Sequence, residues 1–222
     1  MLNLHNYTDR EHAASELSKI ILSELAQGLE QAEHVTLALP GGDTPSLLYN
    51  NLSQSPFNWQ SVSLITTDER CVPMDHDRSN FKNMFSNMKG RKIPDASFVY
   101  LDTSLTNPEL LNFYNSNCQN LVSCTFGMGL DGHFASIFPE SDLLLSDQMP
   151  TIMHADAPDG LEPRVSLTKE VVCQVSSVHL LIHGSEKLSL LENVEADAKY
   201  SQLPISWMIN QSGKDIEVHY AH

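Results

Sequence analysis

Four short apolar runs stop abruptly at polar, turn-forming stretches: VTLAL (35–39), SVSLITT (61–67), VSCTF (122–126) and SSVHLLI (176–182). Short strands that are apolar nearly throughout are what a sheet needs when both its faces are covered. The segments between them carry apolar residues at helical spacing. Strands alternating with helices build parallel β-α units. The expected fold is therefore α/β, a Rossmann-like layered fold with a mostly parallel sheet flanked by helices. PRVSLTKEVV (163–172) alternates like a hairpin and is expected as a small antiparallel addition. No internal repeat, low-complexity tract or long Pro/Ser linker interrupts the chain, so residues 1–222 are expected to form a single domain.

Along that frame, Thr8 and Glu11 stand at capping-box spacing before a long amphipathic run ending near residue 32. Further helices are expected over 45–53, 79–88, 107–121 and 185–196, with strands at ASFVYL (96–101) and IEVHYAH (216–222).

Charge narrows the function. Thirteen Lys and Arg against 28 Asp and Glu give a formal net charge of −15. That excludes nucleic acid and anionic membrane surfaces as natural partners. No apolar run approaches the ~20 residues that span a bilayer. The first residues lack the basic and apolar regions of a secretory signal. The four cysteines have no metal-ligand spacing. A cytoplasmic protein with reduced thiols is expected, as a monomer or weak homodimer, with no metal and no cofactor.

Ligands of open α/β sheets sit at the carboxyl ends of the strands. Four polar stretches follow four strands there: PGGDTP, DER, GMGLDGH and HGSEK. One sheet edge can thus gather Gly41, Gly42, Thr44, Asp68, Arg70, His133 and Lys187. In GGDTP, Thr44 is a natural N-cap and Pro45 a natural first helical residue. Amides of such a turn attract a phosphate, although a tight strand–helix turn needs the same residues and Asp43 repels an anion. Asp68 and Arg70, one residue apart on extended chain, point to one side, with Glu69 structural on the other. They could serve a ligand or form a surface ion pair. Asp131 is expected to cap a helix with His133 in its first turn, where the positive helix end keeps the imidazole neutral and basic. Lys187 near a helix start conflicts with the dipole unless an anion binds, and Arg164 could add another cation; both could equally be solvated.

Other patterns carry less. His179 and His183 lie four apart on a strand and suit a satisfied core or edge position. Asp75, His76 and Asp77 suit a loop. Gly127, Gly129 and Gly132 match G-x-G-x-x-G, yet no long crossover helix and ribose-binding acid follow in register.

The blocks LALPGGDTPSLLYNNL, TTDERCVPMDHDRSNFKNM, GMGLDGHFASIFP, PRVSLT, IHGSEK and LPISW, collinear from about Thr36 to Tyr220, resemble the 6-phosphogluconolactonase family. Its superfamily includes glucosamine-6-phosphate deaminase and ribose-5-phosphate isomerase. The resemblance implies a lactone hydrolase acting on a sugar phosphate, with His133 as general base supported by Asp131. It implies that the Gly41–Thr44 loop, Arg70 and Lys187 gather around phosphate and ring. Asp43 departs from the family's usual Ser or Thr, and the helix before VSCTF looks trimmed. Deaminases need a further acidic pair past the histidine, and Glu140 stands too far along to supply it. Isomerisation or deamination on the same fold, and a non-catalytic sugar-phosphate sensor, remain the alternatives.

Overall fold

The computed structural model describes residues 1–222 except Asp43, Arg91, Asp95, Ala96, Asp147 and Asp159, and the side chain of Glu195. Its centre is a six-stranded parallel sheet built from β1 (Leu2–Tyr7), β2 (Val35–Leu39), β3 (Val62–Thr66), β5 (Leu121–Phe126), β8 (Ser177–His183) and β9 (Ile216–Ala221), in the order β1-β9-β8-β5-β2-β3. A second sheet, three-stranded and antiparallel, joins β4 (Asp68–Arg70), β7 (Arg164–Leu167) and β6 (Ile152–Ala155) in the order β4-β7-β6.

Both faces of the large sheet are covered, as the apolar strands require. Leu37 and Leu39 of β2 pack into one buried cluster with α1 (Arg10–Leu29), α2 (Ser46–Gln54) and α3 (Asn80–Met88). Ala38, between them, joins the opposite cluster with α4 (Asn107–Asn117), α6 (Lys169–Gln174), α7 (Ser185–Ala196) and α8 (Pro204–Asn210). Successive strand residues face opposite sides, so this alternation is a direct consequence of the pleat.

Several local expectations are corrected. Asp9, not a Thr8–Glu11 box, caps α1: its carboxylate accepts from the His12 amide. The polar run Leu2–Tyr7 forms the edge strand β1. Of the run expected as a strand, Ala96 lies outside the described residues, and the described residues 97–101 add only a single parallel bridge, Phe98 to Leu64. Arg164–Leu167 is antiparallel as expected, but Lys169–Gln174 coils into α6 after the Thr168 cap. The helix before β5 keeps 11 residues. No long helix begins at Asp131: Gly132 has φ 77° and Ala135 φ 48°, both outside helical space. The short α5 (Asp142–Leu145) comes later.

Among the described residues no helix is long and apolar enough to cross a membrane. Nor, among them, do three His, Cys, Asp or Glu gather to hold a metal.

Candidate active site

Strands β8, β5, β2 and β3 are adjacent and parallel, so their carboxyl ends open onto one edge. There lies a cavity of about 370 Å³. Of the residues named from the sequence, Gly41, Thr44, Asp68, Arg70, His133, Arg164 and Lys187 all line it. Gly42 and Asp131 are not among the residues that line it, and Asp43 lies outside the described residues.

The glycine turn is shaped by its neighbours. A methyl group on Gly41 would meet the Asn80 amide at 2.0 Å, so only glycine fits that contact. Gly42 has φ 82°, and its carbonyl accepts from Asn83 Nδ2 at 2.7 Å. Tyr49 donates its hydroxyl to the Pro40 carbonyl, tying α2 to the turn. Thr44 is not the N-cap: α2 starts at Ser46, Pro45 holds the cap position, and no side chain caps it. The helix therefore begins one residue later than Pro45 suggested.

Asp68 and Arg70 lie on β4 and both face the cavity, as one-residue spacing on a strand dictates. Asp68 Oδ2 accepts from Ser136 Oγ at 2.6 Å, and Asn80 Nδ2 reaches the Asp68 carbonyl at 2.8 Å. Glu69, fully buried on the other side, accepts from the amides of Arg70, Asn80 and Phe81 at 2.7, 2.8 and 2.7 Å, and from Ser79 Oγ at 3.0 Å. It anchors the start of α3 and is structural.

The histidine sits in a loop of turns. Its ring donates Nδ1–H to Asp131 Oδ1 at 2.6 Å, and its amide reaches the same oxygen at 3.2 Å. Nε2 is thereby the basic nitrogen left for the cavity. The loop closes on itself through Gly129 N–H to His133 O at 2.9 Å. It is held from outside by α8, whose Ile205 amide donates to Gly132 O at 3.0 Å. Phe138 lies beside the imidazole, ring centroids 4.8 Å apart and tilted by 46°. The tautomer is thus set by a carboxylate and not by a helix end.

Several cations also line the cavity. Arg164 on β7 stands in register with Arg70 on β4. It is 4% exposed, and burial, reinforced by the Arg70 charge, pushes its guanidinium down. Lys187, at the third position of α7, is pushed down by burial and by the charge of Arg10. Arg78, which sequence reasoning passed over as part of a loop, also lines the cavity, and its carbonyl accepts from Arg70 Nη1 at 2.7 Å. Asn80 and Ser136 were missed too: each supports Asp68 through the fold, and nothing in their local sequence signals that.

The patterns set aside stay outside. His179 is buried on β8 between Glu24 and His219, at 3.1 Å from each. Glu140 lines a separate cavity with Asp142 and His154. Turns, not a crossover helix, follow Gly127, Gly129 and Gly132.

Taken together, an oriented imidazole and a group of cations line one small polar cavity, an arrangement able to bind an anionic substrate and deprotonate water beside it. Comparisons with known proteins give the chain's family and fold. The family described as glucosamine-6-phosphate isomerases/6-phosphogluconolactonase matches residues 8–217. A 6-phosphogluconolactonase of Thermotoga maritima is 33% identical over 183 residues, 80% of this chain and 82% of the relative. One from Rhizobium meliloti is 27% identical over 228 residues, 99% of this chain and 98% of the relative. The crystal structure of a protein described as a putative 6-phosphogluconolactonase from Neisseria gonorrhoeae FA 1090 superimposes with a TM-score of 0.87 at 26% identity, over 100% of each chain.

Proposed function

Because the chain belongs to the glucosamine-6-phosphate isomerase/6-phosphogluconolactonase family, we propose that it hydrolyses 6-phospho-D-glucono-1,5-lactone to 6-phospho-D-gluconate, the step of the oxidative pentose phosphate pathway that opens the lactone. The observation that carries this reading is the placement of His133, tied to Asp131 at 2.6 Å, on the same cavity as Gly41, Arg70, Arg164 and Lys187. The substrate phosphate docks on the amides of the glycine turn and on these cations. Nε2 of His133 takes a proton from water, and the oxygen adds to the lactone carbonyl carbon. A neighbouring cation or N–H steadies the oxyanion. As the C1–ring oxygen bond breaks, the imidazolium returns its proton to the ring oxygen, leaving the carboxylic acid and a free hydroxyl. Asp68, held by Ser136 and Asn80, faces the ring hydroxyls. The lactone carbonyl is already electrophilic, so neither metal nor cofactor takes part. The full chain acts as one catalytic domain, and its four unpaired cysteines suit the reducing cytoplasm.

The test is lactone opening, coupled to oxidation of the 6-phosphogluconate formed and corrected for spontaneous hydrolysis. His133→Ala is expected to lower kcat by about 10²–10⁴-fold with an unchanged melting temperature; near-normal turnover would reject the base. Ammonia release from glucosamine 6-phosphate would instead favour the deaminase reading.

A further inference from the structure

We propose that Glu162 is a resident counter-ion of the cationic wall, seated there in the free protein and displaced by a phosphate dianion when substrate binds. The inference rests on the cavity's being a phosphate-ester site and adds how that site discriminates among anions.

Three guanidinium groups converge here. Arg70 and Arg164 are directly paired residues of antiparallel strands, so their like charges share one face. Such a pair destabilises a sheet unless an anion lies between its members. Arg164 is buried, and its Nη1 has no hydrogen-bond partner; nor does the buried Nε of Arg70. Two donors buried in the cavity wall are thus left without a partner.

Carboxylates near them are few. Asp68 is engaged by Ser136 and Asn80. Glu162 Oε2 lies 3.0 Å from Arg78 Nη2 but 3.8 Å from Arg164 Nη1. Both are ion pairs without a hydrogen bond, since Oε2 has no hydrogen-bond partner. One buried oxygen, Oε2, is therefore shared between two arginines by charge alone, with a hydrogen bond to neither. Charge-assisted contacts to Arg are strongest when short and bidentate. A tetrahedral phosphate dianion can offer that geometry to Arg164 and Arg70 together. Glu162 is free to yield its place: its side chain is 26% exposed, it precedes β7, and Leu161 beside it is 42% exposed at the cavity mouth. A weak monoanion gains little by such an exchange, because it replaces one carboxylate by another. The resident glutamate thereby keeps ordinary metabolite carboxylates out and lets a phosphoryl group in.

The experiment is calorimetric titration of the intact protein with inorganic phosphate, which needs no turnover. Glu162→Gln is expected to tighten phosphate binding about five- to tenfold, the effect of removing one competing charge a few ångströms away. Glu162→Ala must move affinity the same way, and melting curves establish that each variant is folded. Glu192→Gln, which removes an exposed acid of α7, is the control for net charge and should change binding less than twofold (about). Phosphate binding that is unchanged or weaker in both Glu162 variants overturns the exchange, as does equal tightening in Glu192→Gln. No phosphate binding by the parent protein or any variant overturns the phosphate reading of the cavity as well.

Discussion

A methyl group on the Cα of Gly129 would stand 2.3 Å from Nδ1 of His133 and 2.4 Å from the Asp131 carboxylate that receives its proton. The bare backbone at Gly129 is thus a condition for the histidine's orientation. Gly129→Ala is expected to push the ring off Asp131 and lower kcat at least about tenfold, since a displacement near 1 Å can cost far more. Stability should change little, because Gly129 does not need positive φ. Steady-state kinetics beside a melting curve checks it, and unimpaired turnover would mean that the ring's seat does not matter.

Arg70 reaches the cavity from β4 and steadies the 73–79 turn through the Arg78 carbonyl. If it holds the substrate phosphate in ground state and transition state alike, Arg70→Ala raises KM about ten- to a hundredfold and leaves kcat within about fivefold. A KM that does not move removes Arg70 from phosphate binding.

Glu69 concerns stability. Its buried carboxylate accepts four hydrogen bonds, two of them from the first amides of α3. Glu69→Gln replaces one acceptor oxygen by an amide that faces donors. The expected loss is about 2–4 kcal/mol, read as a lower urea midpoint. A loss below about 1 kcal/mol would show that the network tolerates an amide.

A buried polar chain lies under the other end of the sheet. Tyr7 O–H contacts His219 Nδ1 at 3.0 Å, His219 Nε2 contacts His179 Nδ1 at 3.1 Å, and His179 Nε2 contacts the Glu24 carboxylate at 3.1 Å. His5, from β1, stacks on His219 and pairs with Glu217. One proton arrangement that fits these contacts has each group donating towards Glu24. Burial, then the charges of His179 and His5, push His219 down to about 3. The unfolded chain takes up this proton below about pH 6.5, whereas the native protein does so only near 3. The His219 contribution to stability is therefore whole above about 6.5 and is lost as pH falls towards 3. His219→Gln should remove that component, so that the parent loses about 2–3 kcal/mol more than the variant between pH 6.5 and 4.5. Parallel stability profiles would sink the assignment.

Much of this architecture is visible in the residues themselves. Runs such as VTLAL and SSVHLLI, apolar on both faces and stopped by glycine turns, specify a covered parallel sheet and the edge where its ligands gather. Other features depend on contacts that no local pattern encodes. Leu2–Tyr7 has the polarity of a loop and becomes a strand because β9 offers it an unpaired edge. Asp131 followed by Gly132 and His133 imitates a helix start, yet Gly132 packs against Leu203 and Ile205 of a distant segment in a conformation no helix uses. Arg78 looks like part of an ordinary charged loop until β7 brings Glu162 and Arg164 opposite it. The wall's chemistry is a product of strand pairing between residues 94 positions apart, the separation of Arg70 and Arg164 (164 − 70).

The pairing of β1 with β9 also fixes an order of events as the chain is made. Leu2 lies opposite Ile216, and β9 separates β1 from every other strand of the sheet. The first strand emerging from the ribosome must therefore wait for the last. At ~5–20 residues per second, that wait is roughly 10–40 s, during which Leu2–Tyr7 has no strand to pair with and His5 remains in water.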